Sequence, residues 1–149
     1  MRNLQSVAAA VMALGADVLA APASAQNHDG VYRGTLVCAA LPFAKSQRSA
    51  IEITIAGASA KYSRPVLSND GGNLGTEAGN GVVVGDQIQL NGNWKGEKDS
   101  FEAAYAGSFV RRQVKFTGAQ TWSHDQKTFQ RTCTGSAKRP LRILPKPAA

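Results

Sequence analysis

The chain is short of the residues on which most catalytic chemistry is built. It has two histidines, His28 and His124, far apart in sequence. Its two cysteines, Cys38 and Cys133, cannot supply four zinc ligands, and they form no C-x-x-C redox motif. There is no G-x-S-x-G elbow. Ser123-His124-Asp125 has the letters of a triad, but adjacent residues in a turn do not converge on one reacting atom. The acidic residues are scattered, with no spacing that sets two carboxylates across a sugar. Gly71-Gly72-Asn73-Leu74-Gly75 carries no lysine and opens no helix, so it is not read as a phosphate cradle. These shortages predict no cofactor, no metal and no catalytic residue, and leave a hydrolase as the least favoured function.

A helical stripe of three turns is also missing after the first segment, as is any apolar run of membrane length. The start of the chain reads as an address. Arg2 precedes the apolar run Val7–Leu14, and Pro22 and Ala23-Ser24-Ala25 follow as a helix stop and an A-x-A cleavage site. Asp17 is unusual near the end of such a run. Residues 1–25 are expected to be a cleaved signal peptide, with the mature chain opening at Gln26 and destined for the periplasm or the exterior. The mature chain then has no transmembrane segment. Removing Arg2 and Asp17 together leaves the formal charge at +7.

What remains has a period of two. Ile51, Ile53 and Ile55 alternate with Glu52 and Thr54; Phe101, Ala103, Tyr105, Gly107 and Phe109 share one face, as do Val114, Phe116, Gly118 and Trp122. Turn residues separate these runs at Asn69-Asp70-Gly71-Gly72, Gly85-Asp86, Gly96–Asp99, Arg111-Arg112 and Ser123–Gln126. Strands are predicted over 31–40, 50–56, 61–67, 76–84, 87–95, 100–110, 113–122 and 127–135. Pro65 marks the third as an edge or a broken strand. The fold class is all-β, an antiparallel meander of about eight strands in one domain, 26–135, followed by a basic Pro-rich tail, 136–149.

In an oxidising compartment Cys38 and Cys133 read as a disulfide, closing a loop of about 96 residues that is worth roughly 4–5 kcal/mol by chain entropy. Such a bond needs the first and last strands close together. A closed small barrel places them side by side; a two-sheet sandwich is the runner-up.

An aromatic-x-Gly step recurs in Tyr32-Arg33-Gly34, Trp94-Lys95-Gly96, Tyr105-Ala106-Gly107 and Phe116-Thr117-Gly118. Positions i and i+2 share a strand face, so each ring flanks a bare Cα. The favoured reading is structural, a bending strand covered by a ring. The alternative makes Tyr32, Trp94, Tyr105, Phe116 and Trp122 the lining of a cavity for an apolar or aromatic ligand. Glycines and alanines on the inner faces leave room for one.

Gly30-Val31-Tyr32 resembles the G-x-W opening of lipocalin-type and related calycin barrels, with Tyr in place of Trp. The resemblance implies a small barrel in which an arginine near the last strand packs across the opening aromatic; Arg131 is the nearest candidate, although Cys38–Cys133 pairing would set it near the far end of the first strand. No binding residue carries over. The chain is also similar to small exported bacterial β-sheet proteins of unknown function, with a G-x-Y-x-G…C opening and Arg131-Thr132-Cys133 as an R-x-C ending, which implies export and a disulfide.

The tail is basic. Lys138, Arg139, Arg142 and Lys146 have no acid among them, and Pro140, Pro145 and Pro147 favour an extended chain. These four cations are the expected contacts to an envelope protein or an anionic surface. Nucleic acid is not an expected partner, since the chain is exported and carries no recognised module. The leading expectation is a non-enzymatic exported binding or envelope protein. Small-molecule binding inside the barrel is the alternative.

Overall fold

A computed structural model describes residues 27–141. The expected leader, Gln26 and the tail positions Arg142 and Lys146 lie outside the described residues. Eight strands follow in order: β1 (Gly30–Cys38), β2 (Gln47–Ala56), β3 (Ser59–Leu67), β4 (Asn73–Val84), β5 (Gln87–Lys95), β6 (Ser100–Val110), β7 (Gln113–His124) and β8 (Lys127–Lys138). Each pairs antiparallel with the next, and β8 pairs with β1 from Arg33↔Lys138 to Cys38↔Cys133. The sheet is a closed barrel, not a sandwich. Closure removes the open edges an eight-strand meander would otherwise leave. Cys38 and Cys133 are directly opposed in this last ladder and form the disulfide, both buried.

Alternation explains the barrel wall. Ile51, Ile53 and Ile55 point inward with Ser49, while Arg48, Ala50 and Thr54 face out. β2, β3 and β4 begin earlier than their periodicity suggests, and β8 runs on to Lys138. Ser136–Lys138, expected in the tail, therefore belong to the sheet. Their outer face is polar, so hydropathy gives no sign of the strand; the ladder to β1 and β7 specifies it.

Three of the turns at one end hold two residues each: Gly57-Ala58, Gly85-Asp86 and Arg111-Arg112. At the other end Asp125-Gln126 closes β7–β8 with φ of 47° and 62°, the left-handed pair of a type I′ hairpin made without glycine. Residues 39–46, the longest connection, also lie at that end.

The aromatic-x-Gly steps dovetail. Tyr105 faces Gly118 and Gly107 faces Phe116 across β6–β7, and Phe116 faces Gly135 across β7–β8. A Cβ on Gly118 would sit 1.9 Å from the Ala104 carbonyl oxygen, and one on Gly107 would sit 2.1 Å from that of Lys115. The glycines let neighbouring strands close up. At Gly107 and Gly118 the aromatic residue beside the glycine comes from the facing strand, at Gly96 it is Trp94 of the same step, and at Gly34 the neighbour is the β8 backbone at Ser136 and Ala137.

Pro65 has a local edge. The β2–β3 ladder stops at Glu52↔Ser63, while β3 stays paired to β4 through Pro65↔Thr76. The missing Pro N–H thus costs no ladder bond, because β2 has already diverged. A cleft opens where the two strands part.

Candidate functional site

The inward faces near this divergence carry polar side chains in phase with the core. Tyr62, Arg64 and Val66 share one face of β3, and Gln120 lies between Gly118 and Trp122 on β7. Glu77 on β4 and Arg131 on β8 point inward likewise. All are buried, and Glu77 and Gln120 are 0% exposed.

Glu77 gathers four donors on two oxygens. Arg64 Nε donates to Oε2 in a very short ion pair, joined there by Gln120 Nε2 at 3.2 Å. Tyr62 and Tyr105 donate their hydroxyls to Oε1 at 2.7 and 2.9 Å. Gln120 extends the network, accepting on Oε1 from Arg131 Nε at 2.8 Å and Trp122 Nε1 at 3.1 Å. Arg64 Nη1 reaches Ser49 Oγ at 2.9 Å. The Arg131 guanidinium lies 4.9 Å from the Trp122 ring centre, a favourable face for a cation. Such connected polar groups hold one another in place where water is excluded.

The same environment moves the acids and bases. Burial, and then the Glu77 charge, push the Tyr62 and Tyr105 hydroxyls well above the ordinary phenol value. Burial first, then the Arg64 charge, lower Arg131 to about 10. It remains a cation at neutral pH. The network therefore sets two guanidinium charges against one carboxylate. Nη2 of Arg64 and Nη2 of Arg131 are buried and have no hydrogen-bond partner.

The β1–β2 loop covers this end. Phe43 stacks on His124 at 3.8 Å and meets Trp122 and Phe129 edge-on at 5.8 and 5.1 Å. Asn69 clasps the loop, donating to the Phe43 carbonyl and accepting from the Lys45 amide. His124 is held by Asp99 at 2.6 Å, while Ser123 faces out and makes no contact with it that could activate a hydroxyl. Among the described residues no group of three or more His, Cys, Asp and Glu could hold a metal.

The other end is shut by the segment just before β1. His28 stacks on Phe109 at 4.0 Å and bonds Asp86, and its carbonyl accepts the Tyr32 hydroxyl. Arg139 lies 5.7 Å from the Tyr32 ring centre and donates to the Asp29 carbonyl. The arginine across the opening aromatic is thus Arg139, not Arg131. Arg131 sits at the opposite end with the buried network. Arg139, expected to reach a partner from an extended tail, is engaged by this packing.

The five candidate cavity rings are all buried in one core, and each is engaged by a neighbour. Trp94 and Trp122 pack together with Phe101, Tyr105 serves Glu77, Phe116 fills the gap at Gly135, and Tyr32 closes the far end. The room provided by inner-face glycines is taken: a Cβ on Gly79 would lie 2.5 Å from the Tyr62 ring, and one on Gly92 would lie 2.2 Å from its hydroxyl.

Outside, charge is uneven. On β7, β8, β1 and β2 the outward cations are Lys115, Lys138, Arg33 and Arg48, and the single outward acid, Glu52, is bonded to Arg33 at 2.9 Å. Arg111 and Arg112 extend this wall at the β6–β7 turn. Between the cations lies a shallow depression of about 390 Å³ lined by Thr35, Val37, Arg48, Lys115, Thr134 and Ser136. Lys138 belongs to this wall; Arg142 and Lys146 lie outside the described residues. The outward face of β3–β6 is mostly uncharged, with Asn80, Gln89, Asn91 and Asn93 at its centre.

The chain is thus an all-antiparallel, disulfide-closed, eight-stranded barrel, and no helix among its described residues is long and apolar enough to cross a membrane. It matches no family model, no curated protein and no solved structure with which it was compared.

Proposed function

We propose that this protein is an exported, non-enzymatic binding module of lipocalin-like type that docks on an anionic envelope surface through the outer wall of β7, β8, β1 and β2. One observation carries the reading: that wall holds Arg33, Arg48, Lys115 and Lys138 against the single acid Glu52. The close side-chain contacts at Gly79, Gly92 and Gly135 support it by taking up room that an internal ligand would need. The lipocalin-like assignment draws on Gly30-Val31-Tyr32 and on Arg139 lying across the Tyr32 ring.

The strands hold the backbone positions of these cations at fixed spacing, so docking orders side chains and no backbone. Each cation near an anionic lipid surface contributes about 1 kcal/mol, and the attraction falls off within a Debye length of ~8 Å at physiological salt. The test is sedimentation with vesicles of neutral lipid alone or neutral lipid mixed with phosphatidylglycerol. Binding is expected only to the mixed vesicles. It should weaken steeply with salt, and Arg48→Glu with Lys115→Glu should lower it at least tenfold, as about 2 kcal/mol implies. Equal binding to both vesicle types, or no binding to either, overturns the proposal.

A further inference from the structure

The interior contains a feature that surface docking does not use. Two guanidinium groups and one carboxylate share the buried end of the barrel, so one positive charge is uncompensated where water is excluded. Arginine does not escape this by losing its proton near neutrality. A buried cation with an idle N–H group is costly unless something supplies the missing charge and acceptor. Arg64 Nη2 and Arg131 Nη2 are both idle, and the two groups are joined through Glu77 and Gln120.

An opening in the wall lies beside Arg64. Where β2 leaves β3, a cleft of about 470 Å³ opens in the wall, lined by Ala50, Ile51, Ser63, Arg64 and Pro65 among others. Its rim carries Arg33 and Glu52. The cleft lies where the β2–β3 ladder ends at Glu52↔Ser63, and Pro65 just beyond has no N–H to donate across it.

We propose that Arg64 and Arg131 form an internal site for one small monovalent anion, a halide or a single short carboxylate, reached through the β2–β3 cleft. One negative charge balances the buried charges, and acceptor lone pairs on the anion satisfy the idle N–H groups. The cleft shares Arg33 and Glu52 with the basic wall, but Arg48 and Lys115 face outward and line neither the cleft nor the buried network, so replacing them separates the two sites.

Chlorine-35 NMR line broadening tests this, because an ion held in a protein broadens the bulk chloride line and an exchanging competitor removes the effect. The full-length folded protein should give saturable excess broadening. Formate should abolish it, at lower concentration than bromide if the natural occupant is a carboxylate and at higher concentration if it is a halide. Arg131→Met should remove the broadening by tenfold or more with the circular dichroism spectrum retained, whereas Arg48→Glu with Lys115→Glu should leave it unchanged. Loss of the broadening in the surface variant, or a non-saturating signal, overturns the site while leaving the docking proposal to its own vesicle test. In case Arg131→Met does not fold, bromide-soaked crystals of the unaltered protein provide the second measurement. An anomalous peak within hydrogen-bond distance of an Nη2 atom is the expected result; ordered water at both Nη2 atoms, with bromide only on the surface, refutes it.

Discussion

Replacing Glu77 by Gln changes one atom and should remove much of the protein's stability. The side chain keeps its shape, but Arg64 and Arg131 lose the single carboxylate that opposes them. An amide also turns one acceptor oxygen into a donor, which then faces donors: Arg64 and Gln120 at one oxygen, Tyr62 and Tyr105 at the other. Removing one partner of a buried ion pair costs about 3–5 kcal/mol. For a domain of this size that corresponds to a fall in Tm of roughly 12–20 °C. It is also a large share of the ~5–15 kcal/mol that stabilises most domains. Urea unfolding followed by tryptophan fluorescence measures it directly, since Trp94 and Trp122 are 6% and 5% exposed and sit beside the network. A companion variant, Arg64→Met with Glu77→Leu, removes both charges and should cost less than Glu77→Gln alone, because no carboxylate or Arg64 charge is left stranded. A loss below about 1 kcal/mol for Glu77→Gln would refute the reasoning that the carboxylate neutralises a buried cation. So would a double variant as costly as the sum of its parts.

Other consequences follow from the same structure. Tyr32, Tyr62 and Tyr105 all have raised hydroxyl pKa values, through burial first of all. Each keeps its proton when folded at a pH where the unfolded chain has lost it, so the stability they add is complete below the ordinary phenol value of about 10 and drains away above it. Arg131 acts in the opposite sense: its penalty is full below about 10 and is relieved toward 12.5. Tyrosine absorbance at 295 nm should therefore rise only with cooperative alkaline unfolding; a phenol ionising near pH 10 in the folded protein would contradict this. Replacing Cys38 and Cys133 by Ser should cost about 4 kcal/mol by loop entropy in urea unfolding, and a change below about 1 kcal/mol would show that the β1–β8 ladder closes unaided. Gly118→Ala should unfold more readily than Ala104→Gly, since its Cβ would meet a carbonyl oxygen 1.9 Å away, whereas Ala104 faces outward. Equal thermal midpoints would argue against close strand approach at that glycine.

The barrel was legible because alternation, turn residues and two distant cysteines point the same way. Gly85-Asp86 forms the expected tight hairpin, and Cys38 and Cys133 stand opposite each other. The buried network was harder to read. Arg64 lies in phase with Tyr62 and Val66, and Gln120 with Phe116 and Trp122, so strand parity already puts both inside. Period-two reasoning keyed to apolar residues passes over a charged residue on an inner face, because burying it is costly unless a partner waits there. That partner, Glu77, lies 13 positions further on in β4 and is brought to Arg64 only by the β3–β4 register. Arg139 was hidden for a similar reason. Pro140 beside it marks an extended tail, while its packing on Tyr32 depends on the ring closure that brings β8 beside β1.

The central claim is that the barrel is filled by its own side chains and works from its outer wall. Native mass spectrometry of the protein purified from the cells that make it tests this most directly. The account predicts a mass equal to the polypeptide with one disulfide, with no organic molecule of more than a few heavy atoms retained. A stoichiometric aromatic or long-chain ligand that survives purification would contradict it.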